Sequence, residues 1–467
     1  METNNQLNLL DRFNSWLKAS ITVKLGSIGF LTLILLIPSA LIQELMRERQ
    51  QRADEVTLEV ARKWSASQTV SGPVLVIPYG HLEEYKFPNN EVQTKETIVN
   101  AYFLPETLHV SGKVNPETLH RGIFDVAVYN ATFSIQATFA NPDFKKLNID
   151  ESRVKWNEAY VVNSISDLKG INTAPQLSVG NAKLATEPSN NIGFSIPKFS
   201  EVASRNEEII ETPVLSKNGI KARLNWSAKE DFESAFTLDL DLKGSSKLSF
   251  VPIGKTTDVQ LSGAWGNPSF DGEFLPTNRE VTENNFSADW KVLHFNRAFD
   301  QAWTGQDMEL ANSTFGVKLL IPVDQYQKSI RSSKYSILII VLTFVSLFLV
   351  EIISKVRIHP FQYILIGAAL IIYYTLLISL SEFFGYNVAY WMATALTVAL
   401  LTFYSISFMP RSKYVYLFSV IVFLSYTFIF VIIIQQDLSL LIGSLGLFII
   451  TGLIMYFSRK IDWYGEG

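Results

Sequence analysis

Few side chains in this 467-residue sequence have the types and spacing that catalysis or metal binding requires. There is no cysteine, which excludes disulfides, Fe–S clusters, thiol nucleophiles and thiolate zinc sites. The histidines lie far apart, without the i, i+4 spacing of a helical metal site; they are His81, His109, His120, His294 and His359. The sequence also lacks G-x-S-x-G, Walker, H-E-x-x-H and EF-hand motifs. We therefore predict no catalytic, cofactor-binding or metal-binding residues and no enzymatic activity.

The candidate functional residues are two glutamates and a histidine in the apolar C-terminal part of the chain. Glu351 and Glu382 fall in apolar stretches, where ionisable groups typically mark ion or substrate pathways, and His359 lies in the break between two such stretches. Both glutamates are near the ends of their stretches, where a carboxylate can reach the membrane interface. No pair of short, interrupted stretches indicates an inverted-repeat transporter. This pattern favours a packed membrane anchor over a transport path.

Six apolar stretches are long enough to cross a bilayer, whose hydrocarbon core requires about 20 residues of helix. They are residues 24–46, 334–353, 361–380, 386–408, 414–434 and 437–457. The first stretch is followed by LIQELMRERQQRADEVTLEVARKWS, which keeps a helical period and predicts a stalk. A cleaved signal peptide ending near Pro38 is the alternative. Upstream, residues 1–23 place Leu9, Leu10, Phe13, Trp16 and Leu17 on one face, as in an interfacial helix, although a disordered tail is equally compatible.

Basic residues alternate along the breaks of the C-terminal block and predict its orientation. The basic breaks carry Lys355 with Arg357, Arg411 with Lys413, and Arg459 with Lys460. The other two breaks, LSEFFGYN and QQDLS, contain neither Lys nor Arg. By the positive-inside rule, residues 1–23 and the tail 458–467 are cytoplasmic and residues 47–333 are periplasmic. Arg47, Arg49 and Arg52 run against this orientation, but the rule is weak beside a long translocated domain.

Residues 47–333 read as a large, mainly antiparallel β domain. Runs such as GPVLVIPYG and SAFTLDLDL alternate apolar and polar residues and are separated by turn residues, which predicts a sandwich or a related fold. Helix is expected only in the stalk and in the segment 295–303. The segments 135–144 and 261–270 align without gaps through an Asn-Pro-x-Phe corner, and each is followed by a Trp-bearing segment. We therefore expect a strand, a corner and a returning Trp-bearing strand, used twice; chance similarity is the alternative.

Several long strings in the chain closely resemble one protein family. They are LIPSALIQELMRERQQRADEVTLEVARKWSASQTVSGPVLVIPY (36–79), GSSKLSFVPIGKTTDVQLSGAWGNPSFDGEFLPTNREV (244–281), FGVKLLIPVDQYQKSIRSSKYSILIIVLTFVSLFLVE (315–351) and HPFQYILIGAALIIYYTLLISLSEF (359–383). In this order they resemble the CreD family of bacterial inner-membrane proteins. The family-like positions are expected to be turn and core residues rather than a site: Gly263, Trp265, Pro268, Phe270, Gly272, Phe274, Leu275 and Pro276.

The resemblance implies a role in cell-envelope integrity and in the response to envelope stress, including that caused by β-lactams. It implies the same topology and no enzymatic activity that can be transferred to this chain. We therefore expect non-catalytic binding or scaffolding by the periplasmic domain. The alternatives are a membrane protein that handles lipids or small molecules, and a periplasmic hydrolase. The expected partners are the bilayer together with envelope proteins, lipids or cell-wall components; a net charge of −4 without a basic run argues against nucleic acid.

Overall fold

The chain forms two compact units in its computed structural model. The membrane unit comprises Met1–Arg52 and Val323–Gly467, and the β unit comprises Ala53–Pro322. The structure describes residues 21–86, 92–122, 124–203, 209–305, 308–310, 313–321, 325–354, 356, 358–409, 412–435 and 438–459. The expected interfacial helix before residue 21 lies outside the described residues. So do four of the basic residues used for the orientation: Lys355, Arg357, Arg411 and Lys460.

Helices account for the membrane unit in the described part of the chain. They are α1 (Ile21–Trp64), α2 (Gln325–Lys334), α3 (Ser336–Ser354), α4 (Pro360–Phe384), α5 (Tyr386–Ile406), α6 (Ser412–Ile434) and α7 (Ser439–Ser458). All except α2 are long and apolar enough to cross a membrane, so the six predicted spans are confirmed among the described residues. The short helix α2 is polar on average and was not predicted as a separate element. Gly385, with a positive φ, separates α4 from α5.

The predicted stalk is the continuation of α1 beyond the membrane span. This helix is 44 residues long and passes from the membrane unit to the β unit between Arg52 and Ala53. Val56 and Val60 are buried against Val126 and Val128 of the β unit. The Glu59 carboxylate accepts a hydrogen bond from Arg121 at 2.8 Å. The apolar stripe of the stalk is therefore covered by a sheet of the same unit.

The β unit consists of twenty strands among its described residues. They are β1 (Gln68–Lys86), β2 (Val92–Phe103), β3 (Thr107–Arg121), β4 (Phe124–Thr138), β5 (Tyr160–Ile165), β6 (Gln176–Val179), β7 (Ala182–Leu184), β8 (Glu187–Ser189), β9 (Phe194–Ala203), β10 (Ile209–Ser216), β11 (Gly219–Arg223), β12 (Ala235–Ser245), β13 (Lys247–Phe250), β14 (Thr256–Gly263), β15 (Pro268–Gly272), β16 (Asn278–Val281), β17 (Phe286–Leu293), β18 (Ala302–Thr304), β19 (Met308–Glu309) and β20 (Phe315–Leu319).

These strands form two large sheets and one small sheet, with mainly antiparallel pairing. One large sheet has the order β15-β20-β13-β1-β5-β11-β8, and β2 pairs with both β1 and β18. The other has the order β16-β17-β14-β3-β4-β12-β6-β7. The small sheet is β10-β9-β19. The described parallel pairs are β1 with β13, β3 with β14, and β9 with β19. The predicted, mainly antiparallel β domain is confirmed.

The two large sheets share one apolar core. Phe133 of β4 contacts Phe250 of β13 with ring centroids 5.6 Å apart, and Trp290 of β17 contacts Phe315 of β20 at the same separation. The alternation predicted for β12 is present: Phe236, Leu238, Leu240 and Leu242 are buried, whereas Asp239 is exposed. Burying each such apolar side chain contributes about 1.5–3 kcal/mol. The period-two pattern thus assigned these residues to the correct face.

Two expectations about local structure were wrong. The segment 295–303 is not helical: it contains a short 3₁₀ turn, His294–Asn296, and leads into β18. The expected repeated unit is absent from its first copy. There, β4 is followed by short 3₁₀ turns, and Trp156 lies in one of them. In the second copy, β14 is followed by β15 in the other large sheet and then by Trp290 on β17, which pairs with β14. The similarity of the two Asn-Pro-x-Phe corners therefore did not determine how the segments after them fold and pair.

A fully buried glutamine joins three segments of the β unit. The Gln68 side chain amide donates hydrogen bonds to Ser65 Oγ at 3.0 Å, to the Asp167 carbonyl at 2.9 Å and to the Lys243 carbonyl at 3.1 Å. Its oxygen accepts from the Asp167 backbone N–H at 3.3 Å. A buried backbone group that loses such a partner destabilises the fold, because no water can take the partner's place.

We expect Gln68→Leu to destabilise the β unit by about 2–4 kcal/mol, since each buried group left without a partner costs ~1–3 kcal/mol. The matched control is Gln136→Leu, because Gln136 is exposed on β4. Unfolding of the full-length protein in detergent, followed by tryptophan fluorescence, measures the difference. Equal stability of the two variants would contradict the role given to Gln68.

Candidate functional site

The first candidate residue, Glu351, lies in the last turn of α3 and is buried. Its side chain is only 8% exposed, and it forms an ion pair with Lys24 near the start of α1. The Ile358 backbone N–H donates to Glu351 Oε1 at 3.0 Å. The Tyr363 hydroxyl of α4 donates to Oε2 at 3.2 Å. Donors from α1, from α4 and from the break between α3 and α4 therefore surround this carboxylate near the end of its span.

The histidine candidate, His359, has different hydrogen-bond partners from Glu351. His359 is exposed at the start of α4, where its Nδ1 accepts a hydrogen bond from the Phe361 backbone N–H at 3.2 Å. Gln362 Oε1 in turn accepts from the His359 backbone N–H at 2.9 Å. With Pro360 at the first helical position, these bonds form an N-terminal helix cap. The geometry gives His359 a role in starting α4.

The second glutamate, Glu382, lies near the end of α4 and contacts two other helices. Its side chain is 12% exposed. Arg49 of α1 approaches Oε1 to 3.9 Å, and the Tyr326 hydroxyl of α2 lies 3.4 Å from the same oxygen. Burial raises the pKa of Tyr326, and the neighbouring Glu382 carboxylate raises it further. Tyr326 therefore remains a neutral hydrogen-bond donor to the carboxylate.

The two glutamate clusters attach α1 to the following helices at two levels. Tyr363 and Glu382 are both on α4, and a rise of 1.5 Å per residue separates them by about 28 Å. This distance is close to the ~30 Å thickness of the hydrocarbon core. Lys24 and Arg49, near the two ends of the span in α1, provide the matching cations. The arrangement links α1 to α3 and α4 near both ends of its apolar span.

Between these clusters, α1 packs closely against α3 and α4. A Cβ atom added to Gly367 would lie 2.3 Å from Leu35 Cδ1, so a larger residue there would displace the Leu35 side chain. The hydroxyls of Ser39 and Ser336 share a buried hydrogen bond of 2.6 Å. Small residues at helix contacts are typical of membrane proteins, where close backbone approach replaces the hydrophobic effect.

The partners of the two glutamates were missed by the reasoning from sequence. Lys24 is 327 positions from Glu351, so no local spacing connects them. Arg49 did leave a signal, since it ran against the positive-inside rule. Its pairing with Glu382 gives this cation a role within the membrane unit. Hydroxyl donors such as Tyr326 and Tyr363 carry no distinguishing pattern in an apolar, aromatic-rich sequence.

The chemistry open to these clusters is ion pairing and hydrogen bonding. Across the described ranges, no group of three or more His, Asp or Glu side chains is placed to hold a metal ion. Glu351 already accepts from three donors, so both of its carboxylate oxygens are engaged within the protein. Its geometry fits the positioning of helices.

Comparison with known proteins agrees with this architecture. The sequence model of a family described as inner membrane protein CreD matches residues 20–464. The chain belongs to the CreD family. Inner membrane protein CreD of Escherichia coli (strain K12) is 29% identical to it over 450 residues, which cover 96% of this chain and 95% of the relative. The family is one of inner membrane proteins, and it is not known as an enzyme family.

Several family-like positions have the structural roles expected of them. The Trp265 indole donates to the Leu320 carbonyl at 3.0 Å. Phe270 contacts Trp290 with ring centroids 5.8 Å apart. Gly272 has a φ of +111°, which disfavours any other residue there. Leu275 differs, because its side chain is largely exposed and contributes little to the core.

We expect Glu351→Ala to destabilise the membrane unit by ~3–5 kcal/mol, because removing one partner leaves a charge without compensation in an apolar setting. The double variant Lys24→Met with Glu351→Leu should recover most of this loss, since no charge then remains. Glu44→Ala is the control: Glu44 is 74% exposed and pairs with Arg47 at 3.6 Å, so the change should cost under ~1 kcal/mol.

Thermal unfolding of the full-length protein in detergent or nanodiscs measures all three variants. If Glu351→Ala and Glu44→Ala had equal midpoints, the buried pair would have no special role in holding α1.

Proposed function

We propose that this protein supports the integrity of the cell envelope from the inner membrane, with the β unit in the periplasm and both termini in the cytoplasm. Membership of an inner membrane protein family supports the location. The alternation of basic and non-basic breaks supports the orientation. Six candidate spans among the described residues support this proposal, because an even number of crossings is what a cytoplasmic start and a cytoplasmic tail require.

We expect a reporter that is active only in the periplasm to give signal when fused after Ser333 and none when fused after Pro410. Ser333 precedes the second span, whereas Pro410 lies in a break that carries basic residues. A reporter active only in the cytoplasm, fused at the same positions, is the matched control and should give the reverse pattern. Periplasmic activity after Pro410 alone would contradict the orientation.

Within this role, the β unit acts as a non-catalytic binding or scaffolding domain. The observation that carries this proposal is an exposed apolar turn formed by Leu293, His294 and Phe295. Phe295 is 84% exposed, and its ring lies 4.0 Å from that of His294. Covering an exposed phenylalanine removes apolar surface from water, so a partner that packs against Phe295 gains binding free energy. Aromatic residues of this kind are typical anchors of protein interfaces.

A second candidate function is the handling of lipid, which a groove in the membrane unit favours. This groove has a volume of about 500 Å³ and is lined by side chains of α3, α6 and α7. Its lining is apolar except for Ser346 and Ser425. Leu349 of α3 and Leu453 of α7 are two of the residues that line its wall. A lipid acyl chain matches this chemistry because the surrounding helices cross the membrane.

A photo-reactive amino acid in place of Phe295 or of Leu453 separates the two candidates in intact cells. We expect the probe at position 295 to capture an envelope protein or a cell-wall glycan, because the wild-type side chain is exposed and apolar. The control is a probe in place of Asp239, which is exposed on the polar face of β12. Products at 453 that contain only lipid, with none at 295 above the control, would favour lipid handling over scaffolding.

A further inference from the structure

Five tyrosines from three helices form a buried cluster inside the membrane unit. They are Tyr373 and Tyr374 of α4, Tyr386 and Tyr390 of α5, and Tyr426 of α6. Their rings are in contact: the centroid of Tyr373 lies 4.5 Å from that of Tyr426, 4.9 Å from that of Tyr374 and 5.9 Å from that of Tyr390. All five side chains are almost completely buried. The cluster is therefore shielded from lipid by the helices around it.

Most of the hydroxyls in this cluster lack a hydrogen-bond partner among the described residues. Tyr390 donates to the Tyr426 carbonyl at 2.7 Å. The hydroxyl oxygens of Tyr373, Tyr374, Tyr386 and Tyr426 have no such bond. Tyr373 lies beside Thr394, whose hydroxyl is buried as well, but the two do not reach hydrogen-bond geometry.

Such a cluster is costly in an apolar layer unless something pairs with its hydroxyls. A buried hydroxyl without a partner costs ~1–3 kcal/mol, and several such groups together would offset a large share of a typical folding free energy. A phenylalanine at each position would supply the same ring without this penalty. Polar side chains inside membrane helices typically face a water-filled space or pair with one another.

We propose that the tyrosine cluster encloses a site for bound water in the interior of the membrane unit. Water is neutral and both donates and accepts hydrogen bonds, so it can pair with several hydroxyls at once. An ion is a poorer occupant because no charged side chain belongs to the cluster. The occupant is therefore a small, neutral, hydrogen-bonding molecule, and water is the simplest one available at both membrane surfaces.

Buried hydroxyls also connect this site with one end of the membrane unit. Tyr386 begins α5 and lies beside Ser332 of α2, whose hydroxyl is buried without a hydrogen bond, as is that of Ser329. Tyr386 contacts Tyr390, with ring centroids 5.8 Å apart, and Tyr390 contacts Tyr373. From Tyr386 to Thr394 the rise along α5 is about 12 Å. Water thus has a polar route from the end near α2 toward the middle of the span.

Radiolytic hydroxyl-radical footprinting of the full-length protein in nanodiscs tests the site, because bound water generates radicals next to buried side chains. We expect Tyr374 and Tyr426 to be oxidised several-fold more than Phe344 and Phe418, which are equally buried in the same unit. Oxidation of the tyrosines at the low level of these phenylalanines would overturn the proposal.

Matched variants provide a second readout. Tyr374→Phe and Tyr426→Phe should lower the thermal midpoint by about 2–4 °C, since each removes a partner of bound water. Tyr416→Phe is the control because Tyr416 is on the same helix as Tyr426 but is exposed. A midpoint that rises in either test variant would show a dry, unpaired hydroxyl and would also overturn the proposal. If a variant fails to fold, the footprint of the wild-type protein decides.

Discussion

The ion pair between Lys24 and Glu351 is the contact on which the membrane unit depends most directly. It joins two residues that are 327 positions apart, one before and one after the whole β unit in sequence. The membrane unit therefore assembles only when α1 finds helices that are synthesised much later. An ion pair specifies this docking well, because either charge without the other is strongly unfavourable in an apolar layer. Apolar packing against Gly367 and the Ser39–Ser336 bond then set the depth of α1.

The same constraint, that a buried polar group requires a partner, acts in both units. In the β unit, Gln68 meets it with hydrogen bonds to backbone groups of three segments. In the membrane unit, Glu351 meets it with an ammonium group, a hydroxyl and a backbone N–H. The tyrosine cluster is the contrasting case, because four of its five hydroxyls are buried without a hydrogen-bond partner among the described residues. This contrast is what distinguishes a candidate binding site from a structural contact.

Sequence reasoning succeeded where a physical rule acts over a short range. The spans were found because crossing a bilayer needs a long apolar helix, and the burial pattern of β12 followed from the two-residue period of a strand. It failed where the outcome depends on distant contacts. Phe295 lies in a short turn rather than a helix, and Trp156 does not repeat the strand of Trp290, since partners elsewhere in the chain decide both. Of the three candidate residues, His359 was the least informative, because its ring is used to cap α4.

These features together bear on what the membrane unit contributes to the family's role. A simple anchor needs only apolar helices, and those would be more stable with phenylalanine than with buried tyrosine. Here a buried ion pair between Lys24 and Glu351 and a longer contact between Arg49 and Glu382 link α1 to α3 and α4 near the two ends of its apolar span. Hydroxyls in the interior of this bundle form a defined space for small polar molecules, whereas the exposed turn at Phe295 belongs to the β unit. The tyrosine cluster and the exposed turn therefore lie in different units, and each can be altered without substituting a residue of the other unit.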